Sequence, residues 1–161
     1  AAEMTHTGVI GLLGTAATIR QAYVDRLEAE FARDKTLLRH AAPELVAAAE
    51  TVLRGESVDP AVFARAAAGL RDQPGGDRID TVVLACTHFP LVQSQLADAF
   101  GPGVRFVDGS AGIARRIAHL TQGQPFTRTC PDLALFTGTT DPFPALASAM
   151  ARYGLTDHAL F

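Results

Sequence analysis

Apolar residues along the 161-residue chain recur in two periods, and the alternation between them sets out a series of strands and helices. Gly8 to Leu13 (GVIGLL) is a short apolar run bounded by glycine and threonine, the pattern of a buried parallel strand. In the following TAATIRQAYVDRLEAEF, the residues Ile19, Tyr23, Leu27 and Phe31 share one face of a predicted helix, with Thr15 as its N-cap. Two further helices are expected, Pro43 to Leu53 (PELVAAAETVL) and Asp59 to Leu70 (DPAVFARAAAGL). Each has proline near its start, where a first turn tolerates it, and Asp59 is placed to cap the second. The proline and glycines of QPGGDR mark a loop that delivers the chain into a strand, TVVLA, Thr81 to Ala85. A helix restarts at Pro90 and runs through Leu96 to Phe100, Gly-Pro-Gly ends it, and VRFVD forms a short strand closed by Asp108-Gly109. GIARRIAHL then carries Ile113, Ile117 and Leu120 on one side of a helix. TQGQPFTRTCPD is a long polar loop, and LALFT and FPALASAMARYGL supply a last strand and a last helix.

Repeated alternation of strand and helix implies an α/β fold: a parallel sheet with right-handed crossovers and helices on both faces, a three-layer αβα sandwich. A content of 48% hydrophobic and 19% charged residues suits a globular domain of this length. The net charge of -3 and pI near 5.9, with arginines scattered rather than striped, point away from nucleic acid as a partner. No apolar stretch approaches the roughly 20 residues of a membrane span. The N-terminal AAEMTHTG also lacks a basic segment followed by an apolar one, so no membrane association and a cytoplasmic location are expected. Cys86 follows a strand and Cys130 sits in a polar loop, which argues against a structural disulfide. The chain starts at Ala1 and its first element already reads as a buried strand, so a fragment of a longer protein is expected.

The glycines of GVIGLLGTAAT are spaced G-x-x-G-x-x-G, not the G-x-G-x-x-G that lets a dinucleotide approach the backbone, and no cofactor is expected. Thr15 and Thr18 either cap the helix or present hydroxyls, beside free N–H groups, to a carboxylate or phosphate. DTVVLACTHFPLV, from Asp80 to Val92, places a thiol, a hydroxyl and an imidazole where a buried strand ends, the usual position of ligands in α/β proteins. Cys86 reads either as a small core residue or as a thiolate base or nucleophile, since a helix start and a neighbouring imidazolium both favour thiolate. A C-x-H pattern without a second ligand pair falls short of a zinc site, and no metal is expected. Cys130, His6, His40, His119 and His158 have no partner at diagnostic spacing and read as structural or surface residues, and Asp108 reads as a turn residue. Glu50, within AAAETVL, belongs either to a solvated helix face or to a histidine it orients, and periodicity does not decide between them.

G-T-A-A-T at Gly14 to Thr18 and A-C-T-H-F-P at Ala85 to Pro90 together resemble the C-terminal part of glutamate racemases, of the aspartate/glutamate racemase superfamily. Glu50 at the end of APELVAAAE, VDGSAGIARRI from Val107 to Ile117 and LFTGTTDPF from Leu135 to Phe143 extend the resemblance, in family order, over almost the whole chain. It implies an aspartate/glutamate racemase-like fold, with one complete domain plus part of a second. Residues 1–103 would form the C-terminal α/β domain, and 104–161 a segment that returns to the N-terminal one. The resemblance further implies cofactor-independent, two-base racemisation of glutamate, which supplies D-glutamate for peptidoglycan: one cysteine thiolate removes the α-proton and a second thiol returns one to the other face. Cys86 matches one of those cysteines, His88 the histidine that assists it, Thr87 a substrate-contacting position and Glu50 an acid near that histidine. The hydroxyls of Thr15 and Thr18 are further candidates for holding substrate.

Departures from the family pattern carry equal information. Neither the G/A-C-N-T motif of the other catalytic cysteine nor the N-terminal D-S-G segment occurs in this sequence, and T-C-P-D around Cys130 does not replace them. Phe89 stands where tyrosine is commoner, and Ala42 where many relatives carry a non-catalytic cysteine. The chain alone is therefore expected to be inactive, and its C-terminal segment, without its platform, to self-associate or form a homo-oligomer, or else to be locally disordered beyond about residue 104. Relatives acting on aspartate or a hydantoin share the thiol chemistry. A truncated, non-catalytic paralogue serving as a binding or interaction domain is the remaining alternative.

Overall fold

The computed structural model describes residues 1–127, 129–138 and 143–161. Its main sheet contains β1 (Val9–Gly14), β2 (Thr36–Ala41), β3 (Thr81–Ala85) and β4 (Arg105–Val107), all parallel, in the order β2-β1-β3-β4. Gly14 lies opposite both Ala41 and Ala85, so the C-terminal ends of three strands come to one level. Between β1 and β3 the order of the strands reverses direction, and in such sheets the crevice at that point receives ligands.

Every residue of β1 is buried, as expected of a central strand covered on both faces. Val9 and Leu13 join Val82 and Leu84 of β3 in the main core, beneath α3 (Glu44–Leu53), α4 (Pro60–Arg71) and α5 (Gln93–Phe100). Leu45, Ala49, Phe63, Leu70 and Leu96 complete that layer. Two glycines permit the close approach. A Cβ on Gly11 would lie 2.8 Å from Leu70 Cδ1, and one on Gly69 would overlap the ring of His40, which β2 lays across α4. On the opposite face, Ile10 and Leu12 look toward Val24 of α2 (Ala22–Phe31) around a cavity of about 230 Å³.

The helix expected from Thr15 onward is broken. α1 (Ala16–Ile19) ends at Arg20, Gln21 is extended, and α2 then begins. Val24 is the residue α2 buries, whereas Tyr23, Leu27 and Phe31 are 42%, 41% and 62% exposed; a four-residue period carried across the break picked the wrong face. The helix expected at Pro90 starts as a 3₁₀ turn, Phe89–Val92, before α5. α6 (Ser110–Leu120) forms with no buried residue, leaving Ile113, Ile117 and Leu120 at 62%, 57% and 59% exposure. β5 (Leu133–Phe136) and β6 (Asp157–Leu160) pair in a separate parallel ribbon. α7 (Phe143–Ala151) contributes Phe143, whose ring stacks on His158 at 3.8 Å and meets Phe136 edge-on at 6.1 Å. Thr139 to Pro142, in the middle of the LFTGTTDPF stretch, and Arg128 of the polar loop lie outside the described residues.

Opposite the strand-end crevice, Arg71 and Asp80 tie the N-terminal ends of the strands. The Arg71 guanidinium donates to the carbonyls of Gly76, Asp77, Ile79 and Phe100 and lies 5.6 Å from the Phe100 ring centroid. Asp80 accepts from the Thr5 hydroxyl at 2.7 Å, from the N–H groups of His6 and Thr7 at 2.7 and 3.1 Å, and from the Thr81 hydroxyl at 3.1 Å. Burial disfavours its ionised form, but these donors outweigh burial and hold the carboxyl well below the ordinary value of 3.8. A group whose pKa is depressed by folding stabilises above its unfolded-state pKa, and that contribution disappears as pH falls toward its folded-state value. Asp80→Asn is therefore expected to lower stability by about 2 kcal/mol at neutral pH, a typical loss for hydrogen bonds to a charged acceptor. The gap from the parent chain should narrow below about pH 4. Urea titrations at a series of pH values measure it; a gap independent of pH would contradict the assignment.

Candidate active site

Three strand ends deliver the polar residues of the crevice. β3 ends at Ala85, and the next residues turn tightly: the N–H of Phe89 donates to the Cys86 carbonyl at 3.1 Å and that of Leu91 to the His88 carbonyl at 3.1 Å. Phe89, fully buried beneath this turn, anchors it in the core. Pro90 supplies a fixed φ at the start of the 3₁₀ segment and forfeits no helical hydrogen bond there. The outcome is a loop in which Cys86 and Thr87 face a cavity while His88 turns to α3.

That cavity, about 560 Å³, is lined by Cys86, Thr87, Asp108, Ser110, Tyr23 and Tyr153 among others. Cys86 is a free thiol, partly exposed and packed against the core on its other side. Asp108 accepts from the Ser110 N–H at 2.7 Å, which fits the turn role read from sequence, and it also borders the cavity. Tyr23, Ser110 and Tyr153 were not anticipated. Asp108 and Ser110 had a usable signal, because they follow β4 just as Cys86 and Thr87 follow β3. Tyr153 had none, since it reaches the site from a distant part of the chain.

His88 Nε2 lies 3.1 Å from Glu50 Oε1, across 38 residues of sequence. A carboxylate only accepts, so Nε2–H is the donor of this contact when Glu50 is ionised. α3 makes the meeting possible: Leu45, Ala48 and Ala49 are its buried residues, while Glu50 is displaced from that face toward the turn that carries His88. The choice left open by periodicity thus resolves in favour of a carboxylate paired with histidine.

Thr15 and Thr18 sit at the end of β1, beside the end of β3. Thr15 Oγ1 accepts from the Thr18 N–H at 3.4 Å, which caps the short α1, and it lies 3.1 Å from Thr18 Oγ1, so each hydroxyl has a partner within this turn. Neither lines the 560 Å³ cavity. Cys130 is exposed in its loop and does not line that cavity. Among the described residues, no three or more His, Cys, Asp and Glu side chains converge as a possible metal site. No helix among them is long and apolar enough to cross a membrane.

The strand order and the helices over this sheet recur in solved structures, which show the fold to be aspartate/glutamate racemase-like. Escherichia coli glutamate racemase, solved with L-glutamate and the activator UDP-MurNAc-ala, superimposes over 99% of this chain and 60% of its own length, with a TM-score of 0.89 and 32% identity. A glutamate racemase isoform from Bacillus anthracis matches in fold with a TM-score of 0.73 at 21% identity, covering 99% of this chain and 59% of that one. In sequence the chain is 59% identical over 156 residues to a glutamate racemase of Sphingopyxis alaskensis, covering 96% of this chain and 58% of that protein. It is 38% identical to a glutamate racemase of Pectobacterium carotovorum subsp. carotovorum, covering 96% of this chain and 54% of that protein. No protein-family model matches the chain. The chain is thus similar to glutamate racemases over 156 of its residues and spans somewhat more than half the length of these relatives.

Proposed function

We propose that this chain is the portion of a cytoplasmic, cofactor-independent glutamate racemase that carries one of its two acid-base cysteines, and that the enzyme supplies D-glutamate for peptidoglycan. The observation that carries the proposal is Cys86 bordering an open cavity on the turn whose next-but-one residue, His88, is paired with Glu50. As thiolate, Cys86 takes the α-proton: the Cα–H bond breaks, an S–H bond forms, and the electron pair moves into the substrate carboxylate. Backbone N–H groups and hydroxyls at the strand ends offset that developing charge, Thr87 from this loop and Thr15 and Thr18 from the end of β1. A thiol on the opposite face, supplied from outside this chain, protonates Cα and inverts it. His88 relays the proton of the Cys86 thiol, and Glu50 fixes its orientation. One thiol serves one face, so the isolated chain is inactive in this account.

The test is turnover of L-glutamate and L-aspartate by the full-length protein, followed by polarimetry. Interconversion of the glutamate enantiomers is the expected result. Preference for aspartate assigns the sister activity, and turnover of neither, with a folded protein, removes the enzymatic reading.

We further infer that the segment from residue 104 packs on the remainder of the enzyme, as the apolar stripe of α6 and the exposed Tyr23, Leu27 and Phe31 of α2 suggest. On its own the chain is then expected to self-associate through these faces. Light scattering after size exclusion should return a mass above 17.0 kDa that Ile117→Lys reduces; a compact monomer would contradict the inference.

A further inference from the structure

Glu50 has two carboxylate oxygens, and His88 occupies only one. The other, Oε2, lies 3.5 Å from Nη1 of Arg54, four residues later at the end of α3. Arg54 Nε in turn lies 3.6 Å from Glu56 Oε1. The backbone sets up this arrangement. Arg54 is the C-cap of α3, its N–H donating to the carbonyls of Glu50 and Thr51. Gly55 follows at φ +78°, a left-handed conformation that favours glycine, and the Glu56 N–H returns to the Thr51 carbonyl at 3.1 Å. Glu56 is thereby brought back alongside Arg54. Two different nitrogens of the guanidinium thus lie at ion-pair distance from two carboxylates, an arrangement that a single ammonium nitrogen does not reproduce.

We propose that Arg54 is a positioning residue: clamped between Glu56 and Glu50, it holds the Glu50 carboxylate in the rotamer that faces His88. The proposal rests on His88 belonging to the proton-transfer machinery, but its test does not depend on turnover. Arg54 and Glu50 side chains are 37% and 41% exposed, so the ion pair contributes little to stability. Its effect is conformational. Glu50 has several rotatable bonds, and without the guanidinium its carboxylate spreads over rotamers that miss the imidazole.

The experiment is a double-substitution cycle read from the ¹⁵N resonance of His88 Nε2 in the 161-residue chain, at about pH 8, where an ordinary imidazole is neutral. Glu50→Gln removes the carboxylate acceptor and should shift that resonance in the parent chain. The same change made in the Arg54→Ala chain should shift it no more than about half as far, with Arg54→Lys in between. Arg152→Ala removes the cation that borders a small neighbouring cavity with Val52, Leu53 and Leu91, and should leave the response to Glu50→Gln intact. In the full-length enzyme, Arg54→Ala should lower kcat by about two- to fivefold with KM unchanged, as expected for a few tenths to one kcal/mol at the transition state. An equal response to Glu50→Gln with and without Arg54 overturns the proposal, as does an equal loss from Arg152→Ala. An absence of racemisation, with the resonance cycle as expected, defeats the racemase reading and leaves the clamp standing.

Discussion

Replacing Cys86 by serine in the full-length protein is expected to lower kcat/KM for glutamate racemisation by about 10³-fold or more, the scale at which a positioned acid-base group contributes. Cys130→Ser is expected to leave most of the activity. The contrast follows from chemistry and placement together. An alcohol holds its proton far more tightly than a thiol, so serine at the strand end is almost never the base that a thiolate can be. Cys86 borders the cavity at the end of β3, whereas Cys130 is an exposed loop residue. The substitution removes no large side chain, and the circular dichroism of the variant should match that of the parent. Comparable losses from the two serine variants would withdraw Cys86 from the role assigned to it.

Phe89→Ala should have the largest effect on stability, a loss of about 3 to 5 kcal/mol, the range found when a buried aromatic is truncated without collapse of the cavity. Phe89 is fully buried, its N–H closes the turn on the Cys86 carbonyl, and its ring lies in the core with Leu45, Val92 and Leu96. A domain of this size has a total stability of about 5 to 15 kcal/mol, so the variant should sit near its unfolding threshold at ambient temperature. Phe89→Leu, which keeps much of the volume, should recover most of the loss. Urea unfolding of the isolated chain measures both. A loss under about 1 kcal/mol for alanine would mean that the ring is not the anchor of the turn that carries Cys86 and His88.

The long apolar runs were legible in sequence because burial on both faces leaves no ambiguity. GVIGLL falls on β1, offset by one residue, TVVLA is β3, and Asp59 caps α4, its carboxylate accepting from the Ala61 N–H at 2.9 Å. β2 escaped notice because its strand pattern is interrupted by two polar residues with tertiary partners: Arg39 pairs with Asp25 and Glu28 of α2, and His40 packs over Gly69. β6 is four residues long, and only its pairing with β5 makes it a strand. Amphipathic period overstated burial for α2 and α6, since a stripe announces that a face wants a partner, not that the chain contains one. In the site, Cys86 and Thr87 could be located by the rule that ligands gather at strand ends. The pairing of His88 with Glu50 could not, because it depends on how far α3 and the turn after β3 approach one another, which no local pattern encodes.

Turnover of L-glutamate in D₂O by the full-length protein tests most directly the claim that Cys86 is one of two bases. When one thiolate takes the proton and a different thiol returns a deuteron to the opposite face, the first D-glutamate formed carries deuterium at Cα while the remaining L-glutamate stays protiated. Mass spectrometry of the separated enantiomers at low conversion is expected to show that asymmetry, with deuterium entering neither enantiomer when Cys86→Ser is used. Equal early labelling of both enantiomers would mean that one base serves both faces, and undiminished labelling by Cys86→Ser would mean that the base is not Cys86.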